Sequence, residues 1–430
     1  MSDERARRDT ICGSVAGFSL LEPGLSCDGA SLAAIAREVG TPCHVYSAAL
    51  LTERFLALQR ALSGVPHRLH YALKANSTLA LVRHLRELGA AADVNSAGEL
   101  EVALRAGFAP EQIVVTGVGK TRAELERAVA TGVAAINAES FGEIDRIAAV
   151  AARVGREARI AVRINPDVEA GTHRHISTGS STTKFGVSIE EARAMIQIAA
   201  RRPGLRIVGL HVHVGSQITS SPAPLAASAA VVAALARELI AGGLALEHID
   251  LGGGLGIPYK PGQAVISPEA YAKAVLPEVR DTTPTVLFEP GRWIVGPSGV
   301  LLTEVVDIKE HTGNGTFVIV DAGMTDLIRP ALYDAWHEIE PIQPRPGAQR
   351  PVDVVGPVCE TSDTFASGRP LAPVEVGDLL AIRDTGAYGA VMASNYNRRP
   401  TAAEVMVESD GSWRVIRRRQ TIDDLLQWEQ

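Results

Sequence analysis

The sequence predicts an α/β fold, in which a (β/α)8 barrel of the TIM type is followed by a second, β-rich domain. Two observations predict this fold. Between residues 67 and 291, a unit of a short apolar run, a polar or glycine-rich turn and an amphipathic helix repeats. After Arg292 the chain reads as strands with few helices between them. We therefore expect a barrel at 41–292 and a β-rich domain formed by 1–40 and 293–430.

Eight apolar runs form the predicted barrel strands. They lie at 68–73, 90–94, 113–116, 134–137, 159–164, 207–213, 248–251 and 285–288. Eight such runs favour a closed barrel, because an open parallel sheet typically has about six strands. Thr121 and Ser140 each stand three residues before a glutamate, which predicts capping boxes at two helix starts.

The predicted strands of the second domain are the following segments. They lie at 299–309, 316–321, 352–359, 378–384, 402–408 and 412–416. The proline-rich segment 341–351 is typical of an exposed connection.

Composition excludes several classes of protein. The 430 residues are 46% hydrophobic and carry a formal net charge of −7, and the longest basic block is Arg417-Arg418-Arg419, so we expect no nucleic-acid partner. Residues 1–17 lack the apolar core of a secretion signal, and Arg237 and Glu238 interrupt the apolar stretch 226–246, so we expect no membrane partner. The spacing of the four cysteines matches neither a zinc site nor a disulfide framework, which predicts a cytoplasmic protein without a metal.

Unusual polar residues follow the predicted strands at their C-terminal ends, where barrel active sites lie. Lys74 follows the first apolar run. A partly desolvated amine there can lose its proton near neutral pH and attack a carbonyl. Most lysines are solvated surface charges, so Lys74 alone is weak support for such a site, and the other residues of the pattern are needed.

Three further positions complete the pattern. The run 252–256 contains four glycines, which let a phosphate approach backbone amides, although tight turns also need glycine. Small residues after His213 allow a flat ring beside it, and Ser216 could donate to a phosphate or phenolic oxygen; a lone histidine is more often a core residue. Glu289 could keep a pyridine nitrogen protonated, or could pair with Arg292. With the lysine, these residues predict a pyridoxal 5′-phosphate site.

The motifs also resemble a known family. Those shared with fold-type III decarboxylases are Tyr71-Ala72-Leu73-Lys74-Ala75-Asn76, His213-Val214-Gly215-Ser216-Gln217, Asp250-Leu251-Gly252-Gly253-Gly254 and Glu289-Pro290-Gly291-Arg292. Further matches are 163–168, 176–179 with Lys184-Phe185-Gly186, 326–333, 356–360, 386–389 and 394–397. As a set running in order from about residue 30 to 410, they resemble the diaminopimelate decarboxylase family.

The resemblance implies roles for the barrel residues. Lys74 would bind the cofactor as an imine, His213 would stack on its ring, and Glu289 would pair with the pyridinium nitrogen. The remaining residues implied to bind the cofactor are Ser216, Gly252, Gly253, Gly254, Gly291, Arg292 and Tyr388. The segment 93–99 departs from the family pattern and fits an ordinary helix cap, so it is not among the predicted catalytic residues.

The resemblance also implies a substrate site shared between two subunits. The residues implied to bind the substrate are Arg292, Arg329, Tyr333, Glu360 and Tyr388. Cys359 would supply a proton, and Cys359 and Glu360 would enter from a second subunit, which implies a homodimer. Two arginines suit a second carboxylate, because the guanidinium is always charged and binds carboxylates in a bidentate manner.

The implied reaction is decarboxylation of meso-2,6-diaminopimelate to L-lysine and carbon dioxide, the last step of bacterial lysine synthesis. Three alternatives stay open. One is a relative with the same chemistry on another amino acid, and another is a homologue that binds the cofactor without activity. The third is a barrel that binds phosphorylated metabolites without an imine.

Overall fold

The computed structural model describes residues 16–21, 23–168, 184–282, 285–311 and 315–429. They divide into two compact units. The barrel unit comprises Phe55–Pro258 and Ala264–Trp293, and the β-rich unit comprises the described parts of Met1–Arg54, Tyr259–Gln263 and Ile294–Gln430. The motif at 176–179 lies outside the described residues.

Eight parallel strands close the barrel. They are His67–Ala72, Ala91–Val94, Ile113–Val115, Ala135–Ala138, Ala158–Ile164, Leu205–Val212, His248–Asp250 and Thr285–Phe288. The last strand pairs with the first, Phe288 opposite Leu69, so no strand edge is left open. The predicted (β/α)8 barrel is confirmed, and a packed interior forms from side chains such as Val114, Val208 and Leu287.

Helices follow the strands in the barrel unit. They are Leu79–Glu87, Ala97–Ala106, Arg122–Thr131, Phe141–Val154, Ile189–Ala200, Ala223–Ala241 and Pro268–Val279, with a 3-10 turn at Pro110–Gln112. Ala48–Ala61 and Arg292–Val295 are helical across the limits of the units. The capping box at Thr121 is present.

The capping box predicted at Ser140 forms only in part. The Ser140 hydroxyl accepts from the Glu143 amide, but the Glu143 carboxylate accepts from the Glu139 amide instead of the Ser140 amide. The other oxygen of Glu143 pairs with the buried Lys120 ammonium at 2.9 Å. An ion pair inside the protein therefore replaces half of the surface motif that the spacing predicted.

One described helix, Ala223–Ala241, is long and apolar enough to cross a membrane by length and composition alone. Its buried side chains include Leu225, Ala229, Val232 and Ala236, which recur at helical spacing. This face packs against the barrel strands Leu205–Val212 and His248–Asp250. A single helix of this kind is also found covering the sheets of α/β proteins, so it is weak support for a membrane span.

The β-rich unit contains a nine-stranded sheet. Its main path runs through Thr364–Leu371, Arg350–Val355, Gly315–Val320, Gly299–His311, Cys43–Ser47, Ala403–Val407 and Trp413–Arg417. Ile339–Pro341 pairs with Leu379–Ile382, which in turn pairs with Gly299–His311. The predicted second, β-rich domain is thereby confirmed.

Smaller elements complete this unit. They are the three-stranded sheet Phe18–Leu21, Gly24–Cys27 and Ala30–Ser31, the helices Leu32–Val39, Arg329–Tyr333 and Ile422–Leu426, and 3-10 turns at Ala390–Met392 and Tyr396–Arg398. Cys43–Ser47 pairs in parallel with Ala403–Val407 and antiparallel with Gly299–His311. The predicted barrel domain, 41–292, includes the strand Cys43–Ser47. In the structure, the hydrogen bonds of this strand are made within the sheet of the β-rich unit.

Candidate active site

Lys74 lies directly beyond the first barrel strand. The strand ends at Ala72, and Lys74 is the middle residue of the 3-10 turn Leu73–Ala75. Its Nζ is 3.4 Å from Oδ2 of Asp93, which is the penultimate residue of the second strand and is fully buried. The lysine side chain keeps 35% of its surface exposed. The amine is therefore reachable from solvent while its counter-charge is held inside the barrel.

A buried acidic cluster lies at the ends of the sixth, seventh and eighth strands. His211 Nε2 is 3.4 Å from Oε2 of Glu289. Oδ1 of Asp250 accepts from the Gly252 amide at 2.9 Å. One ligand atom from each of His211, Asp250 and Glu289 lies within 4.8 Å of the others, a spacing that a cation can also use.

The carboxyl groups of this cluster differ in charge. Burial raises the pKa of Asp250 well above its ordinary value, and the negative charge of Glu289 adds to that rise. Burial opposes ionisation of Glu289 as well, but His211 and Lys74 hold the pKa of Glu289 below its usual range. The two shifts therefore favour ionisation of Glu289 and protonation of Asp250.

His213 provides a neutral ring beside the glycine loop. Its surroundings desolvate it, and the charges of Lys74 and Arg163 further lower the pKa of His213 well below its ordinary value. The Gly253 amide donates to Nδ1 at 3.1 Å, so the ring carries its proton on Nε2. The amide of Gly252 donates to Asp250 and the amide of Gly253 donates to His213, so both N–H groups already have partners inside the protein.

The glycine loop approaches other backbone closely. Gly252 has φ of 65°, and a Cβ there would lie 2.5 Å from the Val212 carbonyl oxygen. A Cβ on Gly253 would overlap the Glu289 carbonyl oxygen. Glycine is thus required by the tight turn. From the sequence, such a turn was the alternative to phosphate binding. The two interpretations are compatible, because the same turn leaves backbone uncovered by side chains.

Two arginines of the barrel unit have defined partners. Arg292 Nη2 donates to Ser216 Oγ at 3.1 Å, a contact that spacing could not predict because 76 residues separate the pair. Arg163 Nη1 donates to Glu139 Oε1 at 2.9 Å, and both side chains are buried. Glu139 Oε2 accepts from the Gly186 amide, so this ion pair anchors the Lys184-Phe185-Gly186 motif.

In the β-rich unit, Arg329 begins the short helix Arg329–Tyr333 and is buried. Its Nη1 lies 2.8 Å from His337 Nε2, and its guanidinium carbon is 4.4 Å from the centre of the Tyr259 ring. Tyr333 ends the same helix, four residues on, and is half-buried. Residues four apart share a helix face, so both side chains can contact one ligand.

The other predicted residues of the β-rich unit lie in two loops. Cys359 and Glu360 are exposed in the segment after Arg350–Val355, where Glu360 Oε1 accepts from the Tyr396 hydroxyl at 2.5 Å. Asp363 holds this segment by accepting from the amides of Val358 and Met324. Tyr388 lies in the turn after Leu379–Ile382, with φ of 57°.

The barrel unit thus contains all the predicted cofactor residues except Tyr388. Sequence reasoning missed Asp93, His211 and Asp250 as members of the cluster. A signal was available, since His211 lies two residues before His213 in the predicted apolar run 207–213, and residues two apart on a strand face the same side. Asp93 was set aside because its segment fits a helix cap; Ser96 does cap that helix, yet Asp93 contacts Lys74.

Comparison with known proteins identifies relatives of the whole chain. The family described as pyridoxal-dependent decarboxylase, pyridoxal binding domain, matches residues 48–296. A diaminopimelate decarboxylase of Pseudomonas aeruginosa is 45% identical over 408 residues, which cover 95% of this chain and 97% of that protein.

Solved structures are similar over the same extent. The diaminopimelate decarboxylase of Helicobacter pylori, complexed with L-lysine, superposes with a TM-score of 0.88 at 41% identity and covers 92% of this chain and 98% of its own. That of M. jannaschii, in co-complex with L-lysine, superposes with a TM-score of 0.90 at 36% identity and covers 96% and 98%.

Proposed function

The chain belongs to the diaminopimelate decarboxylases, the family of its 45% identical relative, and from that premise we propose that it converts meso-2,6-diaminopimelate to L-lysine and carbon dioxide. The cofactor is pyridoxal 5′-phosphate, because the pyridoxal-binding domain spans residues 48–296. The observation in the structure that carries the proposal is the Lys74 amine beside buried Asp93 at the barrel mouth. Because the proposed reaction makes a free amino acid, we also propose a cytoplasmic location and a small-molecule substrate, with no nucleic-acid or membrane partner.

The residues present fit this cofactor. Glu289 is ionised, and its Oε1 has no hydrogen-bond partner among the described residues, so a protonated ring nitrogen has an acceptor. His213 offers a neutral flat ring, and the glycine loop leaves backbone open beside it. When bound, the protonated pyridine ring draws electrons from the carbon–carboxylate bond that breaks.

Lys74 attaches the cofactor through Nζ, and Asp93 is placed to hold a proton that this amine releases. Burial and the charge of Glu289 raise the pKa of Asp93, which favours its taking up that proton. Ser216, Gly252, Gly253, Gly254, Gly291, Arg292 and Tyr388 are the further residues proposed to bind the cofactor. Gly252 and Gly253 can donate to it only if their amides leave Asp250 and His213.

The substrate differs from a simple amino acid by a second carboxylate. Arg292, Arg329 and Tyr333 are proposed to bind it, because guanidinium groups bind carboxylates strongly. Glu360 binds the distal ammonium group, with Tyr388 also contacting the substrate. Glu360 and Cys359 act in the active site of the other subunit of a homodimer, in keeping with their exposure in the single chain.

The experiment mixes purified protein with pyridoxal 5′-phosphate and meso-2,6-diaminopimelate and follows carbon dioxide and lysine together. We expect both products from the wild type, and a loss on the order of 10³-fold or more in Lys74→Ala. The matched control is Lys273→Ala, since Lys273 lies on the helix Pro268–Val279 of the same unit. Bound cofactor without lysine would redirect the proposal to another amino acid, and the absence of bound cofactor would overturn it.

Cys359 is proposed to deliver the proton that replaces carbon dioxide. Cys359→Ala should keep the absorbance of the bound cofactor and lose about 10²-fold or more in kcat. Cys43, one of the two described buried cysteines of the same unit, provides the comparison, since Cys43→Ala should leave kcat of the folded enzyme nearly unchanged. Full turnover by Cys359→Ala would remove this role.

A further inference from the structure

Two side chains that carry no negative charge, His337 and Tyr259, contact Arg329. His337 Nε2 lies 2.8 Å from its Nη1, and the Tyr259 ring lies against the guanidinium with 4.4 Å from its carbon to the ring centre. Tyr259 and His337 themselves meet edge to face, with ring centres 5.2 Å apart. Arg329 and His337 are both buried, so each of these contacts is made away from bulk water.

The chemistry of the partners assigns the proton of His337. A guanidinium can only donate, so Nε2 of His337 accepts from Arg329. Nδ1 is 2.7 Å from the Arg383 carbonyl oxygen, which can only accept, so Nδ1 carries the proton. His337 is therefore a neutral imidazole with its proton on Nδ1.

The backbone of His337 is fixed as well. Arg369 Nη1 donates to the His337 carbonyl oxygen at 2.7 Å, and the Arg369 guanidinium stacks on the Trp336 ring with its carbon 3.3 Å from the ring centre. His337 is thus held at its ring by Arg383 and at its main chain by Arg369. A ring fixed at both points can orient the guanidinium that donates to it.

We propose that His337 is a positioning residue for substrate recognition: its ring nitrogen accepts from the Arg329 guanidinium and fixes the orientation in which that guanidinium meets the substrate's non-reacting carboxylate. A carboxylate at this place would orient Arg329 equally well but would cancel the charge that attracts the substrate. The inference rests on the proposed function, in which Arg329 binds that carboxylate.

Two substitutions separate the two hydrogen bonds of the ring. In His337→Asn, the side-chain amide can still donate to the Arg383 carbonyl from near the Nδ1 position but offers nothing at the Nε2 position. In His337→Gln, the longer side chain can bring its oxygen to the Nε2 position and accept from Arg329. We expect His337→Asn to raise KM about 10- to 100-fold with kcat changed by less than about threefold, and His337→Gln to restore most of that loss.

A merely structural role predicts a different result. It would lower kcat and cofactor content together in both variants, and that outcome would overturn the proposal. An unchanged KM in His337→Asn would overturn it as well. Cofactor absorbance and thermal melting of each variant, measured on the same samples, show whether the fold is kept.

The second measurement needs no substrate. In ¹⁵N-histidine-labelled full-length protein, the His337 ring signals, assigned by their loss in His337→Asn, should show a protonated Nδ1 and an accepting Nε2. A proton on Nε2 or on both nitrogens would overturn the inference even if the wild type produces lysine. Conversely, absence of lysine production would overturn the proposed function, while the ring signals would still report on the His337–Arg329 bond.

Discussion

The two units bury charged groups of opposite sign at their predicted site residues. In the barrel unit, the buried carboxyl groups of Asp93, Asp250 and Glu289 lie close enough to raise one another's charge cost, and Lys74 pairs with Asp93. In the β-rich unit, Arg329 lies against the neutral groups of His337 and Tyr259. The first arrangement has a surplus of carboxylates and suits a cationic ring nitrogen, whereas the second keeps a positive charge for an anion. Under the proposed function, residues of the barrel unit would bind the cofactor, and Arg329 of the β-rich unit would bind the charge of the substrate.

The difference also shows how a buried charge is kept. His211 and Lys74 offset the burial of Glu289 and favour its ionised form, whereas burial and the charge of Glu289 raise the pKa of Asp250 and favour its protonated form. Arg329 keeps its charge for a different reason, because a guanidinium keeps its proton at any ordinary pH. A neutral acceptor, His337, and the aromatic face of Tyr259 are among the groups that contact it.

The largest effect should separate the two carboxyl groups of the barrel cluster. Glu289→Gln removes the negative charge that would stabilise the protonated ring nitrogen of the cofactor, so kcat/KM should fall about 10²- to 10³-fold. Asp250→Asn replaces a group whose raised pKa favours the neutral form with a neutral one of similar shape, so its loss should stay below about tenfold. Lysine release at saturating cofactor measures both; equal losses would contradict the assigned charge states.

A smaller effect should follow from altering the cationic site. Arg329→Ala should raise KM about 10²-fold, and Arg329→Lys about tenfold, because lysine keeps the charge but not the two-pronged geometry. Arg345→Lys is the control, since Arg345 is exposed in the same unit and pairs with Asp378. Initial rates at varied substrate concentration give KM for each variant. An unchanged KM in Arg329→Ala would count against a diacid substrate.

The smallest effect concerns acid stability and is shared by both units. Burial lowers the pKa of His44 in the β-rich unit and of His70 in the barrel unit to about 4. Both are neutral when folded but protonate near pH 6.5 when unfolded. Their stabilising contribution is therefore complete above pH 6.5 and is lost as the pH falls towards 4, by about 1 kcal/mol each between pH 7 and 5.5.

His70→Asn tests this contribution in the barrel. Asparagine does not titrate, and it keeps a donor for the Ala92 carbonyl oxygen, which His70 Nδ1 contacts at 3.3 Å. Hydrogen exchange of His67–Ala72 should depend less on pH in the variant than in the wild type over this range. The strand Cys43–Ser47, which keeps His44, serves as the internal reference, and an unchanged pH dependence at the barrel strand would refute the assignment.

The sequence predicted the barrel well because each strand and its helix form a local unit. The apolar runs start and stop within about two residues of the observed strands, as with 285–288 against Thr285–Phe288. It did not predict that Cys43–Ser47 belongs to the β-rich sheet, because its partner Ala403–Val407 is remote and no local pattern reports such pairing. The assigned roles of the individual site residues stay predictions.

For the site, the sequence identified side chains with distinctive chemistry and missed their supporting partners. Lys74 and Glu289 were found because their positions at strand ends are unusual for charged residues. His337 was not predicted, because the sequence does not show that a histidine will accept a hydrogen bond from an arginine. Asp93 was overlooked because the neighbouring Ser96 explains its segment locally.

The pairing of Cys43–Ser47 with Ala403–Val407 bears on how the chain is made. The Tyr46 hydroxyl donates to Glu404 at 2.7 Å, across 358 residues of sequence, and both side chains are buried. During synthesis the strand at 43–47 emerges long before this partner, whereas the eight barrel strands are complete by Phe288. Chains that terminate before Ala403 therefore retain a barrel sequence but leave this strand with an unpaired, apolar edge, which makes such fragments prone to aggregate.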